Sequence, residues 1–521
     1  MRQPRNVIWS LLSAVMLTGV AAAQQTVVVD ADEIHIGNGS IIENGRIVIR
    51  DGRIQAVGRN IAMPEGTGVL HLRSRAVTPG LIDANALVEP VDILPGVQQG
   101  GPSQPLMQHL FAANHDEIMC MVCDDPATAC ALFAMHDDIE DGLNCPVCNF
   151  PDHPSQAVPF ESGVRPTLTI SEGSSEIVPH THVLDGMNLR SPDFDRLVRG
   201  GVTTVFLSPD PAVVIGPRGA IVRTAGSLRE RVIREADAVQ ATIGSDPFRY
   251  SIRNQTPNRF NVTVRTRRPN TRMGLAWVFR KAFYDTERFL EGKPVFGADT
   301  PSEEAMAILA QVRDGSIPFR IQARTQNDIS SAIRLSNEFG LSFTLLEATD
   351  SYRNIDELKA HGVPVIFGPI YVDPSGPRAR SVETRESRLA TVLDLVNAGI
   401  DTALSAQDLR EEDGLIRQAM YAVRAGLAPE QAIRMVTQIP ARFLGLDDEL
   451  GTIETGKRAE LVLWSGSPLS ATSAVEVVMI NGQVVLDQRS ESTRAAQATS
   501  TEMNTAAQET ASTASSQEDS E

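Results

Sequence analysis

A chain of 521 residues that is 42% hydrophobic and 21% charged has the composition of a folded globular protein, with length for one large domain and additions to it. Its formal net charge of −18 and pI near 5.0 leave no basic face for a phosphate backbone, so nucleic acid is excluded as a partner class. The acidic excess reads as a solvated surface that keeps the chain soluble.

The chain opens on a targeting pattern. Arg2 and Arg5 precede an apolar run from Val7 to Val20, and Ala21-Ala22-Ala23 has the small residues of a signal-peptide cleavage site. A signal peptide over 1–23 predicts an exported protein, periplasmic in a bacterium, with a mature chain from Gln24. An uncleaved anchor fits less well, because the run falls short of the ~20 apolar residues a spanning helix needs. No later segment is apolar enough to span, so no membrane span is expected after cleavage.

Residues 26–77 read as short strands. Arg46–Arg50 and Arg53–Val57 flank Asp51-Gly52, a pair that takes the positive φ values of a two-residue hairpin turn. The far end repeats this device, with Val475–Ile480 and Gln483–Leu486 around Asn481-Gly482 and the strand Ala459–Trp464 before them. Residues 26–77 and 450–487 are therefore expected to form one composite β-sandwich. Between them, over 78–449, apolar strands alternate with amphipathic helices, the pattern of parallel βα units. Expected strands are Thr203–Leu207, Pro318–Ile321, Leu341–Leu346, Val363–Phe367 and Asp401–Leu404, and a late helix opens at Pro429, where a missing N–H costs nothing. The stretch is ample for a (β/α)8 TIM-like barrel of ~250 residues with insertions.

Particular motifs add a resemblance. Ala76-Val77-Thr78-Pro79-Gly80-Leu81-Ile82-Asp83 is similar to the opening barrel strand of the amidohydrolase superfamily. Gly200–Val205 and Ile215–Ala220 look like its exported imidazolonepropionase-like branch. Pro440–Leu446, Gly451–Val462 and Gly466–Leu469 resemble its C-terminal signature. The resemblance implies a TIM-like barrel, a sandwich built from both chain ends, and metal-dependent hydrolysis of non-peptide C–N bonds.

The residues that would hold that metal are substituted. Where the family has His-x-His after the opening Asp, two imidazoles on one side of a strand that can grip one ion, this chain has Asn85 and Leu87. A family context like Ile-Arg-Ile-His-Ala-His becomes Arg320-Ile321-Gln322-Ala323-Arg324, so Gln322 stands at a ligand position. Leu-Glu-His-Gly-Thr becomes Leu346-Glu347-Ala348-Thr349-Asp350, which places Ala348 at the next. Gln407 stands where the eighth strand carries its Asp, and Asp408 is one residue late. Of nine histidines only His361 follows His182, so no shift of register restores a histidine centre. His180-Thr181-His182 mimics a ligand pair, yet it follows Val178-Pro179 in a loop-like stretch. The carboxylates Asp83, Glu347, Asp350 and Asp408 remain as a candidate residual polar site.

An insertion over 99–163 holds all five cysteines. Cys120-x-x-Cys123 and Cys145-x-x-Cys148, separated by residues 124–144, have the spacing of a closed four-thiolate zinc site. Structural zinc is the expectation. Disulfides that leave Cys130 over are the alternative in an exported chain, and a redox-active pair is a third reading. Residues 488–521, mainly Ser, Thr, Ala, Gln and Glu, cannot bury enough surface to fold and read as a disordered tail.

Two functions follow. In one, the catalytic metal is gone and the protein is a pseudoenzyme that binds a small-molecule ligand or an amidohydrolase paralogue. In the other, an altered site keeps metal-dependent hydrolysis through the carboxylates.

Overall fold

A computed structural model describes residues 26–64, 69–88, 172, 175–247, 269–297, 299–370, 388–407 and 414–489. The expected signal segment 1–23, the insertion 99–163 with Cys120, Cys123, Cys145 and Cys148, Asp408, and the tail from residue 490 lie outside the described residues.

Four strands come first: β1 (Thr26–His35), β2 (Ile41–Arg50), β3 (Arg53–Gly58) and β4 (Val69–Pro79). The chain continues through β5 (Leu81–Ala86), β6 (Val202–Leu207), β7 (Ile215–Arg218), β8 (Ala220–Arg223), β9 (Val232–Arg234) and β10 (Val239–Thr242). Next come β11 (Phe319–Ala323), β12 (Thr344–Glu347), β13 (Val365–Phe367) and β14 (Thr402–Leu404), with helices between them. β15 (Leu461–Trp464), β16 (Val475–Ile480) and β17 (Gln483–Asp487) complete the order.

Strands from both chain ends share one seven-stranded sheet, β17-β16-β15-β4-β1-β2-β3, joined where β15 runs antiparallel to β4 from Leu461↔Pro79 to Trp464↔Ala76. Period-two alternation puts Val27, Val29, Ile47, Ile49, Leu72, Leu461 and Leu463 into one apolar cluster. Trp464 and Val478 belong to the other, larger cluster, and the Trp464 indole donates to Thr78 Oγ1 at 3.0 Å. The Asp51-Gly52 and Asn481-Gly482 turns meet tip to tip: a Cβ on Gly482 would stand 2.7 Å from Gly52 Cα. Only glycine permits that approach.

The α/β part forms two sheets, a six-stranded one of order β14-β13-β12-β11-β10-β7 and a four-stranded one of order β5-β6-β8-β9. They are continuous through Gly219 between β7 and β8, where a Cβ would lie 2.1 Å from Phe206 Cζ. Among the described residues no ladder joins β14 to β5. Met435 and Val436 span the seam instead, their carbonyls accepting from Leu404 N and Ile82 N, each at 2.9 Å.

Helices sheathe the sheets because their first turns are capped and their apolar faces are buried. The hydroxyls of Thr271, Ser302 and Thr325 accept from the first turns of the helices Arg272–Leu290, Glu303–Arg313 and Gln326–Phe339. Phe279 and Phe283 pack on Phe319 of β11 and Phe339 stacks on Phe283, with neighbouring ring centroids 5.0 to 6.3 Å apart. Such pairs contribute about 0.5–1.5 kcal/mol each beyond burial. Pro429 is in the first turn of the helix Pro429–Arg434. One expected strand is shorter than its apolar run: Leu341 and Phe343 are buried, but the ladder of β12 begins only at Thr344↔Arg320. Burial of these side chains needs no ladder partner.

Candidate functional site: a carboxylate held at the strand ends

In parallel sheets of this kind, ligands bind beyond the carboxyl ends of the strands. Residues from three of those ends converge here. Glu347 is the last residue of β12, Gln322 is next to last in β11, and Gln407 follows β14 by three residues. Gln322 Nε2 and Gln407 Nε2 both donate to Glu347 Oε1, at 2.7 and 2.9 Å. Arg324 closes the other side: its Nε donates to Glu347 Oε2, its Nη2 to Oε1 at 3.2 Å, and its Nη1 to Asp246. The whole group is withdrawn from water, with Glu347 5% and Gln322 3% exposed.

Backbone strain aims the carboxylate. Glu347, Ala348 and Gln407 have φ of 66°, 53° and 54°. Each left-handed non-glycine residue costs about 1–2 kcal/mol, and such strain is found where surrounding contacts hold a functional geometry. The turn at Glu347 and Ala348 carries the chain off β12, with Ala348 N donating to Ala323 O at 3.1 Å and Asp350 N donating to Arg324 O at 2.8 Å.

The other expected site residues have local tasks. Asp83 accepts from the backbone N of Asn85 at 3.0 Å and of Ala406 at 2.9 Å, so it ties β5 to the segment after β14. Asn85 Oδ1 accepts from Ser208 Oγ at 2.6 Å, and Leu87 meets the seam through its backbone N, which donates to Gln407 O at 3.3 Å. Asp350 Oδ2 accepts from Gln326 N at 3.3 Å, at the start of the helix Gln326–Phe339. Asp350 thus acts beside the cluster rather than inside it. Beneath the cluster, Arg320 donates to Ala84 O and lies 3.6 Å over the Phe206 ring, and burial pushes its guanidinium down to about 10.

The donor set does not fit a catalytic divalent metal. Leu87 and Ala348 have no donor atom, the Gln322 and Gln407 nitrogens are hydrogen-bond donors already spent on Glu347, and Arg324 places a fixed cation on that carboxylate. A dication would have to displace all three. What the arrangement offers is a rigid, neutral-to-acidic polar floor, with Gln322 Oε1 buried and accepting no hydrogen bond.

Arg324 and Asp246 are members of this cluster that the sequence reading did not select. Arg324 had a signal, since it fills the second His of the family pattern Ile-Arg-Ile-His-Ala-His. Asp246 is outside every quoted motif. His180 and His182 lie away from the cluster. His182 bridges Arg218, which is level with Val239 and Phe319, whereas Gln322 is level with Thr242. Three residues of strand separate the two levels, roughly 10 Å.

Residues 272–485 match the model of the amidohydrolase family. The amidohydrolase tasK of Hapsidospora irregularis is 24% identical over 341 residues, which cover 61% of this chain and 34% of tasK. An imidazolonepropionase of Mesorhizobium japonicum is 22% identical over 81% of this chain and 87% of its own length. Among solved structures, an amidohydrolase from Thermotoga maritima superposes with a TM-score of 0.64 at 23% identity, over 88% of this chain and all of that one. With the strand order and the C-terminal signature already described, residues 272–485 fit the amidohydrolase family and the chain as a whole is similar to members of the amidohydrolase superfamily. Its fold is the TIM-like α/β architecture of that superfamily.

Proposed function

We propose that this protein is an exported amidohydrolase-fold pseudoenzyme, in which the strand ends bind a small-molecule ligand or an amidohydrolase paralogue and no longer perform metal-assisted hydrolysis. One observation carries the reading: two side chains at family ligand positions, Gln322 and Gln407, both donate to the Glu347 oxygen that a metal would need. Hydrolysis by this family, as the resemblance implies, uses a metal to lower the pKa of bound water and polarise the scissile carbonyl. A carboxylate neutralised by Arg324 and two amides offers neither that metal nor a free base.

The reading extends to the ends of the chain and to the insertion. The shared terminal sheet supports a β-sandwich flanking the barrel, and the spacing of Cys120, Cys123, Cys145 and Cys148 supports one structural zinc. The test measures both metal and turnover. Mature protein is analysed for zinc before and after Cys145→Ser, then supplied with zinc, manganese, iron or cobalt and assayed on amides, lactams, imides and esters. About one zinc per chain, lost in the variant, and no metal-dependent turnover are expected. Metal-dependent turnover that disappears in Glu347→Ala would favour an active hydrolase with an altered site.

A further inference from the structure

The motif His180-Thr181-His182 is not used by the strand-end cluster, and its surroundings are unusual. The chain turns at Pro179-His180, where Thr181 N and Oγ1 both return to Val178 O, at 3.1 and 2.8 Å. It then rejoins β7 through the bridge between His182 and Arg218, with Arg218 N donating to Thr181 O at 2.9 Å. The guanidinium Nη2 donates to His182 Nε2. A guanidinium has no acceptor, so in this contact the ring nitrogen accepts.

No acid neutralises that guanidinium among the described residues. Arg46, Arg223, Arg272, Arg324 and Arg489 each grip an aspartate or glutamate. Arg231 and Arg320, both buried, donate to backbone carbonyls. Arg218 has neither; its Nε is buried without an acceptor, and so is His180 Nδ1 without a partner. Asp185, an exposed acid, stands 4.0 Å from His182 Nδ1 and makes no ion pair with Arg218. Burial lowers the Arg218 guanidinium from its usual value with no acid to offset it.

In a chain with 65 acidic side chains against 47 basic ones, an arginine held partly out of water with no acid is a charge lacking its complement. We propose that Arg218, with His180 and His182, forms a binding site for a small oxyanion, a carboxylate or a phosphate group, at the edge strand β7. A guanidinium presents N–H groups in a fork that matches two oxygens of such a group, and the imidazole rings can add N–H donors beside it. Because Arg218 is three strand residues from the level of Gln322, this site is separate from the Glu347 cluster and independent of whether that cluster is catalytic.

The test uses the full mature chain in buffer free of phosphate and carboxylate, at constant ionic strength. Inorganic phosphate and, separately, acetate are titrated by calorimetry and by thermal shift. The expected result is saturable binding of one of them at one site per chain, lost in Arg218→Met and weakened about tenfold or more in Arg218→Lys. Arg388→Met, at an exposed arginine paired with Asp394, should leave it unchanged. Saturation by phosphate alone identifies a phosphate group as the ligand, and saturation by acetate alone a carboxylate. A linear rise in melting temperature that is equal in wild type and Arg218→Met is a general salt effect and overturns the proposal. Should Arg218→Met not fold, His180→Gln and Arg218→Lys carry the comparison, and wild-type affinity in both overturns it.

Discussion

Two buried arginine–glutamate pairs stand out among the described residues, and they are built differently. Arg223 and Glu460 join β8 to the segment before β15, with Nε to Oε1 at 2.8 Å. The rest of the pair is also engaged: Thr204 Oγ1 donates to Glu460 Oε2 at 3.1 Å, and Arg223 Nη1 donates to Glu230 O at 2.9 Å. No residue of that pair or of Thr204 has a positive φ. Arg324 and Glu347 are buried to the same degree, at 7% and 5% exposure. Yet Glu347 and its neighbour Ala348 are left-handed, and the adjoining Gln322 side-chain Oε1 is unsatisfied. Burial is matched, and beyond the second acid that Arg324 holds, Asp246, the difference lies in strain and in unused hydrogen-bonding capacity. Those two properties separate a joint that holds layers together from a surface shaped for something else.

The largest effect that could break this comparison is the loss of Glu460. Glu460→Ala leaves Arg223 buried without its acid and should cost about 3–5 kcal/mol, read as a fall in the urea midpoint. Glu347→Ala should cost less, because Arg324 keeps Asp246. Equal losses would mean that both pairs are structural joints. Next comes Gly80→Ala beside the Glu460 joint, where the new Cβ would lie 2.2 Å from Thr203 Oγ1. Overpacking of that kind should destabilise by about 1–3 kcal/mol.

At the strand ends the sign should reverse. Ala348→Gly removes a left-handed alanine and should stabilise by about 0.5–1 kcal/mol in the same urea series, net of the added freedom of the unfolded chain. A loss there would show that φ of 53° is no strain on this backbone. The smallest effect is at Asp30 in the terminal sheet. Its burial alone would raise its carboxyl, but hydrogen bonds from Arg46 and His71 outweigh burial and hold it below 3.8. A carboxyl lowered on folding contributes stability above its unfolded value, and that stability is lost as pH falls through the folded one. Between about pH 5 and pH 3, wild type should therefore lose more stability than Asp30→Asn.

Much of the terminal sheet was legible because its signals are local. Asp51-Gly52 and Asn481-Gly482 each specify a turn by backbone preference, and the alternation around them specifies a face. The candidate site was legible only as a set of substitutions. Asn85, Leu87, Gln322, Ala348 and Gln407 can be read against a family pattern, but the pattern says nothing of what the replacements touch. Asp83 and Glu347 looked alike in the sequence, as carboxylates of one candidate polar site, yet Asp83 bonds backbone N–H groups while Glu347 gathers side chains. The difference comes from the left-handed turn at Glu347 and Ala348, which no propensity forecasts for these residue types. Asp246 and Arg324 meet only through tertiary folding, across a separation in sequence that periodicity cannot bridge.

The pairing of β15 with β4 also sets a schedule. When β1 to β4 leave the ribosome they can pair among themselves, but the outer edge of β4 has no neighbour until the strand Leu461–Trp464 has been made. At ~5–20 residues per second that wait is on the order of 20–80 s, during which a row of free N–H and C=O groups is open to other chains. The sheet therefore cannot be finished until β17, which ends at Asp487, has been made. Completion must follow the arrival of the last strands, which makes the N-terminal half the part of this protein most dependent on being kept from aggregation.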